Sequence, residues 1–149
     1  MASKPRRVYV AYRYNDRDAG QVLGNIGVAH KVAFKLIEQG CYPFIPHSDC
    51  LLAILFGKKI PLKFYYRNSI EWLLQCDTIC VVCDGKPLSP GVLREMKVAK
   101  KSNLRFMMAF VNLETGEVFL SDVFSDQCFN CAGAKENCPF NKKFRRESQ

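Results

Sequence analysis

Asp84-Gly85-Lys86-Pro87-Leu88-Ser89-Pro90-Gly91-Val92-Leu93-Arg94-Glu95 follows the continuous apolar run from Thr78 to Cys83, and its reading decides the fold. The apolar run suggests a strand buried on both faces. Asp84 to Leu88 then reads as a turn. Ser89 is a good N-cap, and Pro90 suits the first helical position, where its missing N–H is not needed. The spacing therefore predicts a strand, a turn and a helix, the arrangement in which an α/β protein holds a phosphorylated ligand on free helix amides. Along that helix Glu95 shares a face with Gly91, Val92, Val98 and Ala99, whereas Lys97, Lys100 and Lys101 fall largely elsewhere. A carboxylate on a small, apolar face is a candidate catalytic group; its ordinary alternative is a solvated or dipole-favoured residue.

Upstream, Arg7 to Tyr12 has the aromatic and β-branched content of a first strand. A polar loop, Arg13 to Gly24, leads to a helix from Ile26 to Gln39 capped by Asn25 and closed by Gly40. Cys41 to Ile45 reads as a second strand ending at Pro46-His47. Ser48 to Lys63 fits either a buried helical turn or a lid. A helix from about Lys63 to Gln75, a strand from Leu104 to Val111, and a turn at Glu114 to Glu117 returning into Val118-Phe119-Leu120 complete the order. Alternating strands and helices imply an α/β fold of flavodoxin- or Rossmann-like type: a doubly wound, mostly parallel sheet of about five strands. In such an order the first and third strands meet at a switch point. Tyr12 and Arg13, Asp84 and Gly85, and the Ser89 helix start would surround one crevice there, with Arg13 or Arg17 supplying charge to a phosphate.

The chain has 149 residues, 48% of them hydrophobic, which suits one core. The expected division is an α/β domain over 1–124 and a basic, cysteine-containing tail over 125–149. No run of about 18 apolar residues and no signal-peptide hydrophobic region is present, so the expectation is a cytoplasmic protein without membrane attachment. A formal charge of +8 favours anionic partners. A phosphate-bearing small molecule accounts for the spread of basic residues as well as nucleic acid does, and nucleic-acid binding through Lys142 to Arg146 is the less favoured reading.

Of the eight cysteines, Cys41, Cys50, Cys76, Cys80 and Cys83 lie in or beside apolar segments and read as buried, reduced thiols. Cys128, Cys131 and Cys138 are candidate ligands of a structural zinc, which would need a fourth donor from Cys41, Cys50 or a histidine; a reduced tail without metal is the alternative. The pattern is not that of a zinc deaminase, because His47 is followed by Ser48-Asp49 and not by x-Glu. No cofactor is expected for catalysis.

The segments Val8 to Arg13, Gly24-Asn25-Ile26, Pro46-His47, Ile70-Glu71-Trp72 through Asp77, and Ser89 to Glu95 together resemble the nucleoside 2-deoxyribosyltransferase-like superfamily, in particular its short bacterial and phage members. They are also similar to the deoxynucleoside-monophosphate N-glycosidases. The resemblance spans roughly residues 7 to 111, and its most specific element is Ser-x-Gly-Val-x-x-Glu after a buried strand. It implies that Glu95 is the nucleophile at C1′ of a deoxyribose and that Tyr12 orients it or lines the pocket. It further implies that Ser89 and the helix amides bind a 5′-phosphate or sugar hydroxyl, and a homodimer; with the crevice residues above, the candidate substrate site comprises Arg13, Asn25, His47, Asp84, Gly85, Ser89 and Gly91. One position departs from the pattern: the glycosidases carry an aspartate that assists the leaving base where this chain has Ser69, which cannot act as an acid near neutral pH. Asp77 and Asp84 are the candidate replacements. A non-catalytic nucleotide-binding module is the alternative function.

Overall fold

The computed structural model describes residues 6–15, 17–125 and 128–129. Five strands form one sheet in the order β2-β1-β3-β4-β5: β1 (Arg7–Ala11), β2 (Tyr42–Phe44), β3 (Thr78–Cys83), β4 (Arg105–Val111) and β5 (Val118–Ser121). The sheet is mixed. β1, β2, β3 and β4 pair in parallel, and β5 returns antiparallel on β4 through the turn at Gly116. The expectation of a mostly parallel sheet is thus corrected at one edge, because a turn as short as Leu113 to Glu117 can only reverse the chain.

Side-chain alternation along the strands sorts the core into two layers. Val8 and Val10 of β1 pack with Cys80, Val82, Met107 and Ala109 beneath Ala29, Val32 and Leu36 of helix α1 (Ala19–Glu38). Tyr9 and Ala11 point to the opposite face, with Ile79, Val81 and Met108, beneath Leu73 of helix α3 (Leu62–Leu74) and Val92, Met96 and Ala99 of helix α4 (Pro90–Lys101). Burial on both faces explains why β3 is an unbroken apolar run.

Helix α1 begins well before Asn25. The Asp18 carboxylate caps it by accepting from the Gly20 amide at 2.7 Å, and Asn25 lies inside the helix, buried. The expectation of a cap at Asn25 is corrected accordingly: one face of Ala29, Val32, Ala33 and Leu36 holds the helix to the sheet and carries its glycine-rich first turns along. The stretch left open between strand and helix forms a 3₁₀ turn, Pro46–Asp49, then helix α2 (Cys50–Phe56), which buries none of its residues, and a second 3₁₀ turn, Gly57–Lys59. Helix α4 starts as its sequence predicts: Ser89 is extended, and its Oγ accepts from the Val92 amide at 3.3 Å.

Cys131, Cys138 and the basic run Lys142 to Arg146 lie outside the described residues. Among the described residues no three His, Cys, Asp or Glu side chains gather as a metal-ligand set, and no helix is long and apolar enough to cross a membrane. Cys128 packs on the α3/α4 face, whereas Cys41, offered above as a fourth ligand, packs on the α1 face with the sheet between them.

Candidate active site

Parallel pairing aligns the ends of β1 and β3, and the segments leaving those ends open a cleft of about 440 Å³. Its walls come from Tyr12 to Asn15 after β1, Pro46 to Asp49, the α2–α3 segment through Tyr65, Ser69 and Ile70, and the first turns of α4 from Ser89 to Glu95.

Asp84 ties these segments together. Its carboxylate accepts from the Tyr12 hydroxyl at 2.7 Å, from Arg13 Nη2 at 3.1 Å and from the Lys86 amide at 2.9 Å, leaving 1% of the side chain exposed. Arg13 Nη2 also donates to the Pro87 carbonyl at 3.1 Å. A buried carboxylate that accepts three hydrogen bonds, one of them from a guanidinium, is a structural tie held ionised and has no proton to offer a leaving base. Gly85 allows the following turn its left-handed φ of 84°. Neither residue lines the cleft, and neither does Asn25, whose Nδ2 donates to the Tyr14 carbonyl at 3.3 Å and so fixes the backbone of one wall.

Glu95 is reached by a hydroxyl, and it belongs to Tyr9. The Tyr9 Oη donates to Glu95 Oε1 at 2.7 Å. Tyr12, the residue the resemblance offers for this role, sits on the other parity of β1 and turns its hydroxyl to Asp84. Tyr9 is itself held in a stack, 5.9 Å from Phe44, which lies 5.3 Å from Trp72. Burial raises the Glu95 carboxyl to about 7, against the opposing pull of the Tyr9 hydrogen bond. The phenol is raised in turn, by burial first and by the neighbouring carboxylate second, so it stays a donor.

Ser69 stands in the cleft beside Tyr9, but its hydroxyl donates to the Tyr65 carbonyl one turn back at 2.9 Å. Asp77 lies away from the cleft and takes Arg7 Nη2 at 2.9 Å. Of the two replacements the sequence offered for the missing aspartate, neither reaches the site.

His47 is 2% exposed and lines the cleft between Tyr12 and Tyr14. Burial lowers its pKa, so the ring is neutral at physiological pH. Its Nε2 lies 3.0 Å from the Arg13 carbonyl and must carry the proton, which leaves Nδ1 as a buried acceptor without a partner. Arg13 Nε and Tyr65 Oη are buried without partners as well. Polar atoms of this kind rarely go unmatched in a folded protein, and here three of them belong to residues lining one cleft.

At the opposite wall the helix start offers the amide of Gly91, whose missing side chain leaves the approach open. Arg17 is exposed and does not line the cleft. The sequence alone did not single out Tyr9, whose partnership with Glu95 is foreshadowed by strand parity, nor the cleft-lining Asp49, which carries no local signal. The chain matches no family model and no curated protein, and what the cleft can do follows from its own side chains.

Proposed function

We propose that the protein breaks the N-glycosidic bond of a 2-deoxynucleoside or its 5′-monophosphate, with Glu95 as the nucleophile at C1′, in the manner of the nucleoside 2-deoxyribosyltransferase-like superfamily. The observation that carries this reading is Glu95 itself: a desolvated carboxylate at a cleft wall, one oxygen held by Tyr9 at 2.7 Å. The sugar would lie over Glu95, the phosphate at the Ser89–Gly91 helix start, and the base against Tyr14, His47 and Tyr65. As the C1′–N bond breaks, its electron pair leaves with the base and a free Glu95 oxygen bonds to C1′. Water, or a second base, then attacks C1′ and releases the carboxylate. Tyr9 fixes the orientation of the nucleophile, and desolvation raises its reactivity.

The strand order β2-β1-β3-β4-β5 supports a flavodoxin-like, doubly wound arrangement, in which a site between the ends of β1 and β3 is expected. The unbridged thiols of Cys41, Cys50, Cys76 and Cys80 support a cytoplasmic setting. A homodimer fits the exposed apolar face of α2. A second reading, a nucleotide-binding module without turnover, is favoured by the serine at position 69.

The test is incubation with deoxynucleosides and their 5′-monophosphates, with released base followed by chromatography. The wild type should release base from at least one, and Glu95→Gln should lose at least about a thousandfold in kcat/KM without unfolding. Binding to one compound with no base released from any would leave the second reading standing and the first refuted.

A further inference from the structure

Glycosyl transfer to Glu95 leaves electrons on the departing base, and a proton delivered there lowers the barrier. Ser69, Asp77 and Asp84 are all engaged elsewhere. Only two carboxylates line the cleft among the described residues, Glu95 and Asp49. Asp49 occupies the N-cap position of α2, where an aspartate ordinarily accepts from a backbone amide, yet its side chain makes no capping bond. Among the described residues it forms no ion pair and no hydrogen bond. It stands instead, half buried, in the wall that also carries Tyr14, His47 and Tyr65, where burial first and the Asp49 charge second raise the Tyr14 phenol.

The same wall holds the unmatched His47 Nδ1 acceptor and Tyr65 hydroxyl. Flat aromatic side chains with partnerless polar atoms between them suit a planar heterocycle whose edges carry nitrogen and oxygen. A base seated there can be protonated at a ring nitrogen remote from C1′, so its acid need not adjoin the nucleophile.

Resting on the glycosyl reading above, we infer that Asp49 is the acid that protonates the departing base and the base that later activates water. In the first step the C1′–N bond breaks, Glu95 bonds to C1′, and the Asp49 carboxyl proton passes to the ring nitrogen. In the second, water bonds through its oxygen to C1′ and passes its proton, through a bridging water in the space the base has left, to the Asp49 carboxylate, and Glu95 departs ionised. Protons and electrons balance over the cycle with water as the only co-reactant. Burial raises the Asp49 carboxyl above its usual range, which favours its protonated form.

Asp49→Asn and Asp49→Ala are compared with the wild type on the nucleotide it cleaves fastest and on analogues with progressively better leaving bases, made by ring halogenation or N7-methylation. Melting temperatures confirm folding. The variants should lose on the order of a hundredfold or more in kcat/KM on the natural base, shrinking to under about tenfold on the best leaving base, which departs without a proton. An equal loss along the series, or none, would overturn the assignment while leaving Glu95 in place. A wild type that releases no base from any compound would sink the glycosyl reading and this assignment with it.

Discussion

At the scale of single residues, the role proposed for Glu95 is set against stability. Its carboxyl has an ordinary value of 4.5, the reference for the unfolded chain, and titrates near 7 in the fold. The folded state therefore binds the proton more tightly; this contribution is fully present below pH 4.5 and is lost as the pH rises through 7. Above that, ionised Glu95 costs the fold about 3 kcal/mol. Glutamine can accept the Tyr9 hydrogen bond but cannot ionise. Urea denaturation should find Glu95→Gln more stable than the wild type at pH 8.5, by up to that amount, and indistinguishable from it near pH 4.5. Base release by the wild type should follow a bell-shaped kcat/KM profile, because it needs Glu95 ionised and Asp49 protonated, and Asp49→Asn should convert it into a single rise through pH 7 as the nucleophile ionises. The sequence made Glu95 legible, because a carboxylate among Gly91, Val92 and Ala99 breaks the solvation pattern of its helix. Its partner was legible in principle too: Tyr9 and Tyr12 differ in parity, and only Tyr9 faces α4. Asp49 was not, because nothing within its own segment distinguishes a cap that bonds from one that does not.

Elements were legible in proportion to how local their determinants are. The start of α4 needs only Ser89 and Pro90, and the structure places it there. The start of α1 depends on a helix face docking against β1 and β2, so Asp18 could not be told from Asn25 by cap chemistry alone. The α2 segment was ambiguous because its leucines and isoleucine read as core although they face outward. Ser89 serves α4 twice, as a cap and as part of the proposed phosphate cradle. Ser89→Ala should cost about 1 kcal/mol in urea denaturation. On the same variant, titration calorimetry should show weakened binding of a nucleoside 5′-monophosphate with little change for the parent nucleoside. Equal loss for both would remove the phosphate from that position.

For the whole molecule, the outstanding surface is α2. Ile54 and Leu55 are each 71% exposed, and Leu51 and Phe56 lie beside them. A contiguous apolar patch of this kind marks an interface more often than free surface. If two copies meet there, sedimentation at micromolar concentration should show a dimer for the wild type and a monomer for Ile54→Asp/Leu55→Asp. A wild type that sediments as a monomer would refute the pairing.

The two sides of the cleft are fastened very differently. Asp84 clamps the ends of β1 and β3 and the loop at Pro87 into one unit, so a ligand meets that side already in its final shape and little ordering entropy is lost on contact. The side formed by α2 has no buried side chain of its own to hold it down. In a single copy, displacing it exposes little new apolar surface, so it parts at low free energy, and a ligand entering or leaving the cleft should pass beneath α2, the more slowly where a second copy covers that helix.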